Sequence, residues 1–423
     1  MTSKCPEFST FGRRFTRRTG ALELMADLGS ALTATGPIQM LGGGNPARIP
    51  EVEAIYRAEL AGIARDPDAF ARMAGRYAPP EGDPEFRATV AAHLRSNYGW
   101  QLSERNIALT AGSQTAFFLL FNLLAGRGPR GPRRILLPMT PEYVGYLDLG
   151  LDDDLFIATR PAIELQEPPF FKYRVDFDAL DVTEDVAAVC VSRPTNPTGN
   201  VLTDAELRQL DRLAREHGIP LIVDAAYGPP FPGIEFVEAT PIWNDNVILC
   251  LSLSKLGLPG LRTGIVVARP EIVEALAAMT AVLSLSPNNA GAALAGRLLA
   301  SGELSALSAR VIRPFYEARL REALAWLADS LDGTAFRIHR PEGAFFLWLW
   351  LEGLPIPSSE LYRRLKERGV FVLSGHHFFP GAELGWPHRD ECLRVSYAQE
   401  PTVVREGIGL IAEEVRRAYL LQA

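Results

Sequence analysis

Cysteine, histidine and surplus positive charge are all scarce in this 423-residue chain. Its four cysteines, Cys5, Cys190, Cys250 and Cys392, are too scattered for a disulfide framework, a metal knuckle or a redox pair. Cys190 and Cys250 lie inside apolar runs (VAAVCVS, NVILCLS), where a free thiol packs as a small core residue, as suits a reducing cytoplasm. Six histidines include the adjacent His376 and His377, which have no third ligand nearby and are expected to be structural. Lys and Arg number 43 against 50 Asp and Glu, for a net charge of −7. That balance argues against a protein that grips nucleic-acid phosphates through clustered cations. The densest basic stretch, GRGPRGPRR at 126–134, is expected to be a solvated loop. The first residues, MTSKCPEFSTFGRRFTRR, hold no apolar core of a secretory signal. Two uncharged stretches, 107–126 and 275–296, carry Ser113, Gln114 and Asn122, and Pro287, Asn288 and Asn289. Buried helices account for them better than membrane spans. A cytoplasmic protein with no membrane or nucleic-acid partner is expected.

What the chain does have is apolar content, 47% hydrophobic residues, enough for a large core. Length alone suggests two or three domains. Continuous apolar runs at 134–138, 186–191, 219–223, 247–253 and 263–268 read as buried strands. Helical stretches alternate with them, one opening on a capping box from Thr203 to Glu206. This pattern predicts an α/β fold with a mostly parallel sheet covered on both faces. Toward the C-terminus a helical region at 305–331, interrupted at Pro314, gives way to short strand-like runs at 335–339, 344–351, 370–373 and 392–397, with helices at 358–368 and from about 403. A smaller α+β domain follows from that arrangement.

Three polar residues recur at strand-to-helix junctions. Asn196 precedes Asp224 by 28 residues, and Asp224 precedes Lys255 by 31. Each gap is about one βαβ unit, so all three should emerge at the carboxyl edge of one sheet, where α/β proteins bind ligands. An amide, a carboxylate, a phenol (Tyr227) and a lysine together suit a pyridine aldehyde carrying a phosphate. The lysine forms a Schiff base, and the carboxylate keeps the ring nitrogen protonated so that the ring draws electrons. Ala111, Gly112, Ser113 and Gln114, before an apolar helix, offer backbone N–H groups to the phosphate.

With these motifs assembled, the sequence resembles the fold type I pyridoxal-phosphate aminotransferases, and among them the valine–pyruvate aminotransferases. The resemblance runs through LGGGNPARIP, TAGSQTAFFLLFNLLAGR, PEYVGY, VSRPTNPTGNV, YGPPFPGI, LSLSKLGLPGLRTG, PEGAFFLWLW and HHFFPG. It implies a large domain around a seven-stranded, mostly parallel sheet at 71–310. A small C-terminal domain at 311–423 would be joined by part of an N-terminal segment at 1–70. It further implies that Lys255 is the Schiff-base lysine and general base, that Asp224 pairs the pyridine nitrogen, and that Tyr227 and Asn196 bond the ring hydroxyl. Tyr143 would stack on the ring. Gly112, Ser113, Gln114, Ser252 and Arg262 would hold the cofactor and its phosphate; Arg262 falls seven residues after Lys255, where many relatives have eight. Tyr77 would reach the phosphate of a neighbouring subunit, implying a homodimer with shared sites. Gly44, Asn196 and Arg394 would clamp the substrate carboxylate. Amino acids and 2-oxo acids are the implied substrates, with valine and pyruvate giving 2-oxoisovalerate and alanine.

Singly, each residue has an ordinary reading: Asp224 as a helix cap, Tyr143 and Tyr227 as core aromatics, Arg394 as half of a salt bridge. Their joint occurrence in order carries the inference. Other neutral amino donors and a pyridoxal-phosphate lyase remain as alternatives, since both would use the same lysine and aspartate. A cofactor-sensing transcriptional regulator would need a basic DNA-binding domain ahead of Gly44, where only about forty residues stand.

Overall fold

A computed structural model describes residues 6–17, 19–33, 37–129, 131–382 and 385–420; Cys5 lies outside them. The larger sheet runs in the order Ile107–Thr110, Gly264–Val267, Val247–Ser252, Leu221–Asp224, Val186–Ser192, Gly131–Leu137. Two short strands, Gly126–Gly128 and Phe156–Ala158, share the outer edge of the last. Among the described residues, eight strands thus stand where seven are expected. The extra one belongs to a hairpin across 126–134, the segment expected to be a loop.

The inner strands Val186–Ser192, Leu221–Asp224 and Val247–Ser252 are buried at every position and pair in parallel. Alternate side chains enter two cores. Val189, Val191, Val223 and Leu249 face one, while Ala188, Cys190, Ile222 and Cys250 face the other with Phe117, Leu120 and Phe121 of the helix Ser113–Leu124. Gly264–Val267 runs antiparallel to both its neighbours. The chain between Ser252 and Gly264 holds only two 3₁₀ turns, Ser254–Leu256 and Pro259–Leu261, too little for the helical crossover that a parallel return requires. The capping box forms as read, with Thr203 Oγ1 accepting Glu206 N–H at 3.2 Å and Glu206 Oε2 accepting Thr203 N–H at 2.8 Å.

A second sheet, of six strands, gathers Leu373–Ser374, Cys392–Ser396, Phe346–Trp350 and Arg337–His339 with a hairpin from mid-chain, Ala162–Leu165 and Phe170–Arg174. That hairpin has no counterpart in the sequence reading. The helical region before the sheet changes pitch through a π-type turn, Ser308–Ile312, just ahead of Pro314. Near the N-terminus, Gln39–Met40 pairs in parallel with Val370–Phe371. Leu41 O then accepts Ser396 N–H at 2.7 Å, so residues 39–44 run beside the C-terminal strands. Among the described residues, no helix is long and apolar enough to cross a membrane.

Candidate active site

The carboxyl ends of the parallel strands converge as their spacing predicts. Ser192 lies opposite Asp224 in register, and Asp224 opposite Cys250, two residues before Ser252. These ends line a cavity with Ser113, Gln114, Tyr143, Asn196, Tyr227, Lys255 and Arg262. Most of the residues singled out in the sequence therefore border one space. Gly112 adjoins it as the residue preceding the helix Ser113–Leu124. Gly44 and Arg394 reach it through hydrogen bonds. Tyr77 does not: its side chain is 77% exposed, in a loop after the helix Pro67–Ala74.

Lys255 sits on the 3₁₀ turn after Val247–Ser252, and its Nζ donates to Gly44 O at 2.7 Å. The ammonium is 5.2 Å from the Tyr227 ring centroid. Loss of hydration, aided by the Arg394 and Arg262 cations, brings its pKa down from 10.5 to about 8. Asp224 ends its strand buried; Oδ2 accepts Tyr146 Oη at 2.7 Å and Oδ1 accepts Ala226 N–H at 3.0 Å. Burial lifts its pKa to about 6, against the opposing pull of those two bonds and of Lys255. Around neutrality the site thus holds an anionic carboxylate and a lysine close to losing its proton.

Arg394 is 1% exposed, on the strand Cys392–Ser396. Its guanidinium donates to Asn196 Oδ1 at 2.7 Å and to Gly42 O at 2.5 Å, and lies over the Phe346 ring at 4.2 Å. Among the described residues no carboxylate pairs with it, and its Nε has no partner. Burial lowers its pKa to about 10. A buried cation held by neutral acceptors is a receptor for an anion. Because Asn196 Oδ1 faces Arg394, the Asn196 amide NH₂ is left to donate elsewhere.

Three further observations bear on a bound pyridoxal phosphate. Tyr227 Oη is buried without a hydrogen-bond partner. Gly112 adopts φ +90°, and a Cβ there would run into the Arg262 guanidinium. That leaves a notch at a helix start, next to a cation. Ser252 Oγ accepts Ser254 N–H at 3.1 Å at the same rim. A phosphate at the notch, a ring nitrogen at Asp224 and a ring hydroxyl near Tyr227 and Asn196 would satisfy each group, so the residues fit the cofactor.

Sequence reasoning missed Tyr146 and Glu142. Tyr146 is fully buried against Phe117 and Phe121 and donates to Asp224. Its place three residues after Tyr143 was the available signal. Glu142 is hydrogen-bonded to Ser192. His376 and His377 pack ring to ring at 3.8 Å, with Ser374 Oγ 2.7 Å from His376 Nδ1. Among the described residues no cluster could hold a metal ion.

The sequence pattern of the aminotransferases of class I and II matches residues 63–409. The chain is 48% identical over 413 residues to the valine–pyruvate aminotransferase of Escherichia coli K12, covering 97% of this chain and 99% of that one. The crystal structure of the valine–pyruvate aminotransferase of Salmonella typhimurium LT2 is similar with a TM-score of 0.87 at 46% identity, over 95% and 99% of the two chains. An α-aminoadipate aminotransferase of Thermus thermophilus, complexed with N-(5'-phosphopyridoxyl)-L-leucine, shares the fold at 24% identity, with a TM-score of 0.78 over 98% of each chain.

Proposed function

The chain belongs to the class I and II aminotransferases, and on that footing we propose that it moves an amino group between a neutral aliphatic amino acid, valine foremost, and pyruvate, giving 2-oxoisovalerate and alanine. Pyridoxal phosphate supplies the carbonyl that receives the amino group and an electron-poor ring that accepts the Cα electron pair. Lys255 Nζ takes the Cα proton of the amino acid, a role that its pKa of about 8 suits. Asp224 holds its charge toward the ring nitrogen and keeps a proton there. Tyr227 and the Asn196 amide NH₂ donate to the ring hydroxyl. Tyr143 would cover one face of the ring, and Gly112, Ser113, Gln114, Ser252 and Arg262 would enclose the phosphate end.

The observation that carries the reading is the buried Arg394 without a carboxylate partner. Amino acid and oxo acid share one α-carboxylate, and a planar guanidinium grips it with two parallel bonds. Among the described residues lining the cavity itself, Arg262 is the one arginine. With Arg262 committed to phosphate and Arg394 to the α-carboxylate, neither is left for a second carboxylate, and the neutral side chain is supported by the likeness to the valine–pyruvate aminotransferase at 48% identity. Tyr77 we assign to the site of a second copy in a homodimer. Asn289 Nδ2 donates to Arg72 O and Arg76 O, tying the Tyr77 loop to the segment that exposes Val282 and Leu285.

Incubating the pyridoxal-phosphate-loaded protein with L-valine and pyruvate should yield 2-oxoisovalerate and alanine in equal amounts, and much less product with L-aspartate as donor. Ammonia released without alanine would instead identify a lyase and overturn the assignment.

A further inference from the structure

Glu142, one residue before Tyr143, is 1% exposed. Both of its carboxyl oxygens meet Ser192: Oε1 accepts Ser192 N–H at 2.9 Å, and Oε2 is in hydrogen-bond contact with Ser192 Oγ. Its own N–H donates to Phe378 O at 2.8 Å. Among the described residues no cation pairs with it. The titratable groups around it are Asp224, Tyr146 and Cys190. Burial holds the phenol and the thiol well above their ordinary ranges, and therefore neutral. Asp224, opposite Ser192 in register, is the one charge. Two carboxyls on either side of Ser192 at one dry strand edge, with a cation beside only one of them, cannot both ionise cheaply. The one without a cation beside it keeps its proton. Asp224 receives Tyr146 Oη and Ala226 N–H and faces Lys255, whereas Glu142 is lifted to about 8, chiefly by burial.

Protonation of Glu142 decides what Ser192 can offer. As a carboxylate, Glu142 would accept a hydrogen bond from the Ser192 hydroxyl, turning its O–H inward and leaving only lone pairs toward the cavity. As an acid, its Oε2–H donates to Ser192 Oγ while Oε1 still accepts the N–H, and the serine proton is free to turn outward. Ser192 does line the cavity. We propose that Glu142 is a positioning residue held as a neutral carboxylic acid, which turns the Ser192 hydroxyl proton into the cofactor cavity beside Asp224 and leaves Asp224 the one anionic side chain at that edge. The proposal rests on the reading of Asp224 as the anion that faces the ring.

Infrared difference spectra of the pyridoxal-phosphate-loaded protein, wild type minus Glu142→Gln, test it directly. A protonated-carboxyl stretch should be present at pH 7 in the wild type only, and should fade as the pH passes about 8. The band is read whether or not the protein transaminates, so failure of the functional reading would not mask the result. In kinetics, Glu142→Ala should lower kcat about tenfold with little change in KM, and Glu142→Gln, which reproduces both hydrogen bonds of the acid, should recover most of that loss. Ser192→Ala should keep the infrared band, which covers the case in which Glu142→Ala does not fold. Absence of the band at pH 7, or a Gln variant as impaired as the Ala variant, would mean an ionised Glu142 and overturn the proposal.

Discussion

Lys255 and Asp224 are shifted toward each other along the pH scale, and the shifts decide when each can act. Lys255 has a folded pKa below its ordinary 10.5, so burial disfavours its ammonium. The amine is free above about pH 8 and captured by a proton as the pH falls through that value. Only the free amine attacks a carbonyl. The rate at which the cofactor-free protein takes up pyridoxal phosphate, followed by absorbance, should therefore rise through pH 8 and level off above it; a rate independent of pH from 6 to 10 would contradict this. Arg394→Gln removes a neighbouring cation that depresses Lys255, so the midpoint should move upward. The same variant should raise KM for valine and for pyruvate together, lowering kcat/KM about a hundredfold, the range for unpairing a buried ionic contact. Asp224→Asn should retain the cofactor but lose orders of magnitude in kcat, while an unchanged rate would remove Asp224 from its role at the ring. Asn196, Asp224 and Lys255 were legible because strand ends in a βαβ series share an edge. Tyr146 and Glu142 were not legible, because their parts exist only in contacts made across 78 and 50 residues.

Two glycines separate the demands of ligand and fold at the level of elements. Gly112 (φ +90°) opens the helix Ser113–Leu124, and the nearest obstacle to a Cβ is the flexible end of Arg262. Gly199 (φ +69°) lies in the loop that bears Asn196, and a Cβ there would come within 2.6 Å of the Gly343 carbonyl oxygen, which is fixed backbone. That contact adjoins the point where Glu342 N–H donates to Gly199 O at 3.0 Å. Alanine at either site pays the strain of a left-handed conformation, about 1–3 kcal/mol. Gly112→Ala should weaken retention of pyridoxal phosphate or inorganic phosphate while lowering Tm by only a few degrees. Gly199→Ala should lower Tm more, with or without cofactor. Equal losses of stability would show that the Gly112 notch is not a ligand cradle. The inner strands could be read in advance because parallel strands buried on both faces are apolar throughout. The hairpin Ala162–Leu165 and Phe170–Arg174 could not. Its first strand is largely exposed and joins a sheet whose other members lie far along the chain.

Across the whole molecule, the site joins parts that are remote in sequence. Arg394 donates to Gly42 O, and Lys255 to Gly44 O, so one short N-terminal segment carries the contacts of both the proposed anion receptor and the proposed base. The segment is itself held by pairing with Val370–Phe371. This convergence was legible from the spread of motifs between Gly44 and Arg394, but the strand pairing that enforces it was not, because Gln39–Met40 is only two residues long. The assembly should extend to a second chain through Tyr77, which is exposed in a single subunit. Shared sites make a definite demand on symmetry. In a hybrid of a Tyr77→Ala chain with a Lys255→Ala chain, one site is doubly damaged. The other combines Lys255 of the first chain with Tyr77 of the second and is intact. Tyr77→Ala alone should weaken cofactor binding, and Lys255→Ala alone should abolish turnover. After subunit exchange at limiting pyridoxal phosphate, random pairing should restore about a quarter of the wild-type sites, since half of the dimers are hybrids with one intact site in two. Hybrids detected by native mass spectrometry without recovered activity would place Tyr77 outside the partner's site, and a mass of one chain at micromolar concentration would remove the dimer itself.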